Sequence, residues 1–214
     1  MHRITAFLAA CLCASIAQAD VPPPPTESTV VVIAGEGQGS GFHIGDGIVV
    51  TAAHVIEGKT FARIEMSDEK TLLADVIFID ARNDLAFLEV QASILDADDP
   101  AAHPGKKMQI ARLACRASVL GENVMVRGTP VGLRFISTWG RIAGDARPLF
   151  RWSAVVPINI SAAPGNSGGP VFDDRGNVIA VLVGIGRASG SQFISLAVPA
   201  TAVCRARDYL GLNG

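Results

Sequence analysis

No histidine follows Ser167, and that absence constrains the fold more than any other feature of the 214 residues. Ser167 lies in Ser161-Ala162-Ala163-Pro164-Gly165-Asn166-Ser167-Gly168-Gly169-Pro170, where small neighbours leave its hydroxyl uncovered. A serine hydroxyl is a weak nucleophile until a base takes its proton, a third group orients that base, and donors meet the oxyanion that attack creates. Gly165-x-Ser167-x-Gly169 also fits a nucleophile elbow, a strand-to-helix turn whose partner histidine comes later in the chain. All four histidines, His2, His43, His54 and His103, precede the serine, and Gly168-Gly169-Pro170 is a poor helix start. An α/β architecture built on that elbow is therefore excluded.

A tight turn over Gly165-Asn166-Ser167 can aim the amides of Gly165 and Ser167 at one point, the place an oxyanion would occupy. Glycine tolerates the backbone angles such a turn demands. In isolation the same residues also read as a glycine-rich hairpin turn.

The rest of the chain points to β-structure. Ser28 to Ala34 is a β-branched run, followed by the turn-rich Gly35 to Gln38, the segment Gly39 to Ile44, the turn Gly45-Asp46-Gly47 and the run Ile48 to Thr51. Short apolar runs divided by glycine or aspartate turns predict antiparallel strands. With 49% apolar residues, 18% charged residues and 22 glycines, the chain reads as one globular unit or two small packed ones. The formal charge of -2 supplies no basic footprint, so no nucleic-acid partner is expected.

Residues 1–19 read as an export signal. His2 and Arg3 are a short polar start, Ile4 to Ala17 is apolar, and Ala17-Gln18-Ala19 is a small-x-small cleavage site before Asp20. The apolar run is too short to span a bilayer. A competing reading takes Leu8-Ala9-Ala10-Cys11 as a lipoprotein box with Cys11 acylated, at the cost of leaving Leu12 to Ala19 as an apolar tail. Either reading places the protein in a prokaryotic envelope or outside the cell, with a periplasmic or secreted product if cleavage follows Ala19. Removing residues 1–19 takes away Arg3 and no acid, leaving a formal charge of -3. Residues 20–27 form a stiff proline-rich lead-in.

For the base, Thr51-Ala52-Ala53-His54-Val55 puts a histidine at a strand end among small residues that leave room beside the imidazole. His43, beside Phe42 in an alternating strand, and His103, in the loop Asp96 to Pro104, read as structural or solvated and remain formal competitors. For the orienter, Asn83-Asp84-Leu85-Ala86-Phe87-Leu88-Glu89-Val90 sends Asp84 into an apolar strand, where burial beside an imidazole fixes its tautomer. Asp80 is its rival within that stretch. No metal-ligand spacing and no phosphate loop appear, and Gly37-x-Gly39-x-Gly41 precedes a strand rather than a helix, so no metal and no cofactor are expected.

The order His54, Asp84, Ser167 is that of the chymotrypsin type. Thr51-Ala52-Ala53-His54-Val55, Asn83-Asp84-Leu85-Ala86 and Gly165-Asn166-Ser167-Gly168-Gly169-Pro170 resemble the three catalytic blocks of chymotrypsin-fold serine proteases, especially the bacterial HtrA (Deg) branch. The segment from Val119 to Pro130 resembles the strand opening that branch's second barrel, and Gly176 to Val181 the strand beside its specificity pocket. The resemblance implies an all-β fold of two packed antiparallel six-stranded β-barrels with a short C-terminal helix. The barrels are expected at about residues 28–100 and 115–199 of a protease domain at 28–214, and the helix at about 201–210.

It further implies a serine endopeptidase acting on exported or unfolded polypeptides, with His54 as base, Asp84 as orienter, Ser167 as nucleophile, and the amides of Gly165 and Ser167 as the oxyanion hole. Ser161 falls at the base of the primary pocket and Val183, Gly184 and Ile185 along its wall, which implies a small or medium apolar side chain before the cleaved bond. Asn166 stands where trypsin-like zymogens carry the aspartate that pairs with a freed N-terminus, so no such ion pair is expected. Cys115 and Cys204 are expected to pair, by resemblance to a disulfide that joins the inter-barrel segment to the last helix in trypsin-like enzymes. The PDZ domains usual in the HtrA branch are not expected, and a monomer is favoured over a trimer. The rival reading is a non-catalytic peptide-binding or chaperone-like module on the same fold.

Overall fold

The computed structural model describes residues 24–91, 108–187 and 193–212. The signal at residues 1–19, with Cys11, and His103 lie outside the described residues. The described residues form thirteen strands and two α-helices: β1 (Thr29–Ala34), β2 (Gly37–His43), β3 (Ile48–Ala52), a helical turn (Ala53–Ile56), β4 (Phe61–Glu65), β5 (Thr71–Asp80) and β6 (Leu85–Val90), then β7 (Asn123–Gly128), β8 (Ile136–Ile142), β9 (Arg147–Leu149), β10 (Trp152–Asn159), β11 (Pro170–Asp173), β12 (Val178–Arg187), β13 (Phe193–Pro199) and a terminal helix (Ala200–Tyr209). Among the described residues no helix is long and apolar enough to cross a membrane.

The first six strands close into a barrel in the order β1-β2-β3-β6-β5-β4. β-Branched residues dominate β1 and β3, whose side chains pack on a pleated surface. In β6, Leu85, Ala86, Phe87 and Leu88 are all buried, which means that both faces of that strand are covered. Alternation is the rule where one face meets solvent, as in the first half of β5, and a continuous buried run marks a strand enclosed on both sides.

The later strands form a seven-stranded sheet, β13-β12-β11-β7-β8-β10-β9, in which β10 also pairs with β13. That extra pairing closes six of the strands into a ring, with β9 appended to β10. The expected pair of six-stranded barrels is thus present, with one additional short strand. The second barrel's first strand begins at Asn123 rather than at Val119, because residues 120–121 turn before it.

Strand periodicity of two separates the packing of the second barrel. Val124, Val126, Ile158, Val171, Ala180, Leu182 and Ala197 fill its interior. The alternate residues Met125, Phe172, Val181, Val183, Leu196 and Val198 join a cluster continuous with the first barrel's core and with Ala202, Val203 and Ala206 of the terminal helix. Fully burying an aliphatic or aromatic side chain contributes about 1.5–3 kcal/mol, so this shared layer holds the barrels at a fixed mutual position. Cys115, ahead of the second barrel, is bonded to Cys204 in the terminal helix, with Cα atoms 6.0 Å apart and a sequence separation of 89, as expected. The next residue, Arg116, bridges Glu122 and Asp173, fastening the same segment to β11.

Candidate active site

The register of β3 against β6 pairs Ala52 with Leu85, so the residues just past that pair, Ala53 and Asp84, meet at the end of the ladder. The Ala53 amide donates to the Asp84 carbonyl at 2.9 Å, and the His54 amide donates to Asp84 Oδ1 at 2.9 Å. His54 Nδ1 lies 2.8 Å from Asp84 Oδ2. Asp84 is 3% exposed and adopts φ 54°, the left-handed region that Asp enters more readily than most residues. Burial works to raise the Asp84 pKa, and the hydrogen bonds and charge of His54, with the Trp152 N–H, outweigh it, holding the carboxyl below its ordinary value. An ionised carboxylate only accepts, so the Nδ1 proton sits between the two groups and His54 Nε2 is left as the acceptor.

Asp80 has a different task. Its carboxylate accepts from the amides of Arg82 and Asn83 and from the Asn83 side chain, which makes it the cap of the turn that delivers Asp84. His43 is 7% exposed, with Nδ1 3.1 Å from the Gln109 carbonyl, and burial pushes its pKa below the ordinary value. It is a core histidine.

Ser167 and His54 line the same cleft, about 650 Å³ in volume, together with Pro164, Gly165, Gly37 and Glu57. No hydrogen bond joins the two side chains in this arrangement. The turn carrying Ser167 is possible because of two glycines. A Cβ on Gly165, at φ 98°, would stand 2.1 Å from the Thr129 carbonyl oxygen, and one on Gly168, at φ 85°, would stand 2.1 Å from the Ser40 carbonyl oxygen.

The orientation of the turn's peptides follows from where their carbonyls are held. The Pro164 carbonyl accepts from the Val131 amide at 2.8 Å, and the Asn166 carbonyl accepts from the Gly169 amide at 2.9 Å. In a trans peptide the N–H points opposite to the C=O, so fixing these two carbonyls fixes the amides of Gly165 and Ser167. Neither amide donates to a protein acceptor among the described residues.

Ser40, fully buried in β2, ties this turn to the first barrel. Its amide donates to the Ser167 carbonyl at 2.7 Å, its hydroxyl donates to the Gly165 carbonyl at 2.7 Å and accepts from the Thr129 amide at 3.0 Å, and its carbonyl accepts from the Thr51 hydroxyl at 2.6 Å. Sequence reasoning missed Ser40. The available signal was Gly39-Ser40-Gly41: glycine inside a strand marks close approach of another backbone, and a Cβ on Gly39 would lie 2.9 Å from the Ser167 carbonyl oxygen. Also missed were Arg151 and Trp152, whose Nη2 and Nε1 groups donate to Asp84 Oδ2 at 3.1 and 3.2 Å.

The residues expected along the primary pocket are dispersed in environment. Ser161 is exposed just beyond β10, Val183 is 2% exposed in the core shared by the barrels, Gly184 faces the Trp152 ring, and Ile185 is 36% exposed. Val183 points inward with Val181, two residues earlier, and the register shift between Leu182 and Gly184 leaves it without a paired residue in β13. None of the four lines the cleft that holds His54 and Ser167.

Comparison with known proteins agrees with this arrangement. The family model described as "Trypsin-like peptidase domain" matches residues 39–181. The chain is 32% identical over 165 residues to a protein named probable periplasmic serine endoprotease DegP-like from Hahella chejuensis, covering 75% of this chain and 33% of that one. It is likewise 32% identical over 185 residues to Protease Do-like 1, chloroplastic, of Arabidopsis thaliana, covering 82% of this chain and 39% of that one. The chain thus spans about a third of the length of the curated relatives it matches. Among solved structures, the inactive form of Rv3671c protease superposes with a TM-score of 0.68 at 26% identity, covering 87% of this chain and 90% of that one. The serine endoprotease from Yersinia pestis shares the fold with a TM-score of 0.70 at 21% identity, covering 86% of this chain and 63% of that one. With two six-strand rings, an imidazole-carboxylate pair on the first, a serine turn on the second, and a family match over most of its length, the chain belongs to the trypsin-like peptidase family.

Proposed function

We propose that this chain is a serine endopeptidase of the HtrA type that hydrolyses exported or unfolded polypeptides. The observation that carries the reading is the His54–Asp84 pair facing a cleft that also holds Ser167 and its two undonated amides. Ser167 Oγ attacks the peptide carbonyl while His54 Nε2 takes its proton. Asp84 stays ionised and stabilises the imidazolium, and the amides of Gly165 and Ser167 hold the oxyanion. The imidazolium then protonates the leaving amine, and water, activated by the same histidine, releases the acyl group. Catalytic hydrogen bonds are commonly long or absent without substrate, and the His54–Ser167 contact forms when the cleft is occupied.

Substrate recognition as an added β-strand, with a small or medium apolar side chain before the cleaved bond, is the accompanying proposal for specificity. A periplasmic or secreted location is supported by the names of the relatives and by the Cys115–Cys204 bond, since disulfides persist in oxidising compartments. The test is labelling of the mature protein by a fluorophosphonate probe and digestion of unfolded casein, beside Ser167→Ala. Both activities are expected in the native sequence and neither in the variant. Casein binding without labelling or cleavage in either protein would instead support a peptide-binding module.

A further inference from the structure

Asp84 Oδ2 is approached by three donors, and two of them belong to the other barrel. His54 Nδ1 comes from the end of β3 at 2.8 Å; Arg151 Nη2 at 3.1 Å and Trp152 Nε1 at 3.2 Å come from the start of β10. The contact is broader than one atom. The Ser153 amide donates to the Arg82 carbonyl at 3.1 Å, and the Ser153 hydroxyl donates to Asn83 Oδ1, so three successive residues of the second barrel rest on the Arg82–Asp84 turn of the first. The indole packs closely over Gly184, where a Cβ would stand 3.2 Å from Trp152 Cη2. The Arg151 guanidinium lies 5.2 Å over the indole ring, and Phe150 meets the same ring edge-on at 6.4 Å, which fixes the order of the hairpin tip.

We infer that Arg151 and Trp152 are positioning residues for Asp84: they hold its carboxylate from across the cleft, so that the pair serving Ser167 is complete only when the second barrel is seated on the first. This rests on the proposed peptidase function. An aspartate buried at 3% exposure has its Oδ1 committed to the His54 amide, and the rotation of the carboxylate about its own axis is decided by what meets Oδ2. Two N–H groups from a separate unit fix that rotation independently of the imidazole. The oxygen then waits where Nδ1–H must point, and the imidazole retains its orientation when it becomes charged. Neither residue touches the reacting atoms.

The experiment compares Trp152→Phe, which keeps an aromatic ring and removes the N–H, and Arg151→Met, which keeps the stem and removes the charge, with Arg151→Lys and with the native protein. Hydrogen bonds to a charged group make about a tenfold difference or more when one donor is lost. Trp152→Phe is expected to lower kcat about tenfold with KM changed less than twofold. Arg151→Met is expected to lower kcat by a smaller factor, because its side chain is 59% exposed, and Arg151→Lys to restore most of the loss. Proton NMR supplies a readout that folding alone would not move: the low-field resonance of the His54–Asp84 proton should broaden in Trp152→Phe while thermal stability stays near native. Native kcat and an unchanged resonance in both variants would overturn the inference, as would a raised KM at native kcat, which would make Trp152 a substrate wall. Ser167→Ala run in parallel separates the two questions, since persistence of cleavage there removes the peptidase reading itself.

Discussion

Replacing Ser40 with alanine removes one hydroxyl and leaves two partners stranded, the Gly165 carbonyl oxygen at 2.7 Å and the Thr129 amide at 3.0 Å. The site is fully buried, so water does not take the hydroxyl's place without a cavity to stand in. Each buried backbone group left unsatisfied costs about 1–3 kcal/mol, so the variant should lose about 2–6 kcal/mol of stability, or roughly 4–24 °C in Tm for a domain of this size. The catalytic effect is separate. The Gly165 carbonyl is one anchor of the turn that presents the Gly165 and Ser167 amides, and loss of a single oxyanion donor costs about 100 to 1,000-fold. With the Val131 and Gly169 contacts still in place the donors are loosened rather than lost, so the rate of acylation should fall about 10 to 100-fold. The assay is single-turnover acylation by a chromogenic ester at a temperature well below the variant's Tm, with KM for a peptide substrate measured alongside. A Ser40→Ala protein that acylates at the native rate, with Tm lowered as expected, would refute the claim that this hydroxyl orders the turn.

Gly165→Ala should fold but be inactive by more than about 100-fold in kcat, because its methyl would collide with the Thr129 carbonyl oxygen at 2.1 Å and force the turn open. Circular dichroism with active-site titration checks both halves of that statement. Cys115→Ser with Cys204→Ser should lower stability by about 4.6 kcal/mol in the chain-entropy treatment of a loop closed at a sequence separation of 89, measured by denaturant unfolding with the m-value compared. His43 is held neutral by burial, with its pKa below the ordinary 6.5, so it contributes stability fully above about pH 6.5 that is lost as pH falls from there through the folded-state value. His43→Gln should flatten that part of the stability profile, as followed by thermal unfolding between pH 7 and pH 5.

Local chemistry was legible where it is contained in a few consecutive residues. His54 lies two residues past the end of β3, and Asp84 precedes β6 directly, so two strand ends and one register sufficed to bring them together. The choice between Asp84 and Asp80 stayed open in the sequence because both flank the same turn, and only the hydrogen bonds of Asp80 to residues 82 and 83 separate cap from orienter. Arg151 and Trp152 were illegible for a different reason. An arginine beside a tryptophan at a hairpin tip reads as solvated surface, and their bonds to Asp84 span 67 and 68 residues across two barrels.

The appended strand β9 bears on how the molecule behaves in a crowded compartment. Rolling both sheets closed removes most of the open borders along which other chains could stack, and β9 is the one described strand with a single neighbour, β10. It is three residues long, carries Arg147, and has Pro148 at its centre, which offers no N–H to an incoming chain. A chain proposed to hydrolyse unfolded polypeptides is thereby given little template for fibril growth along this strand, and Pro148→Val together with Arg147→Val is the change that would supply one.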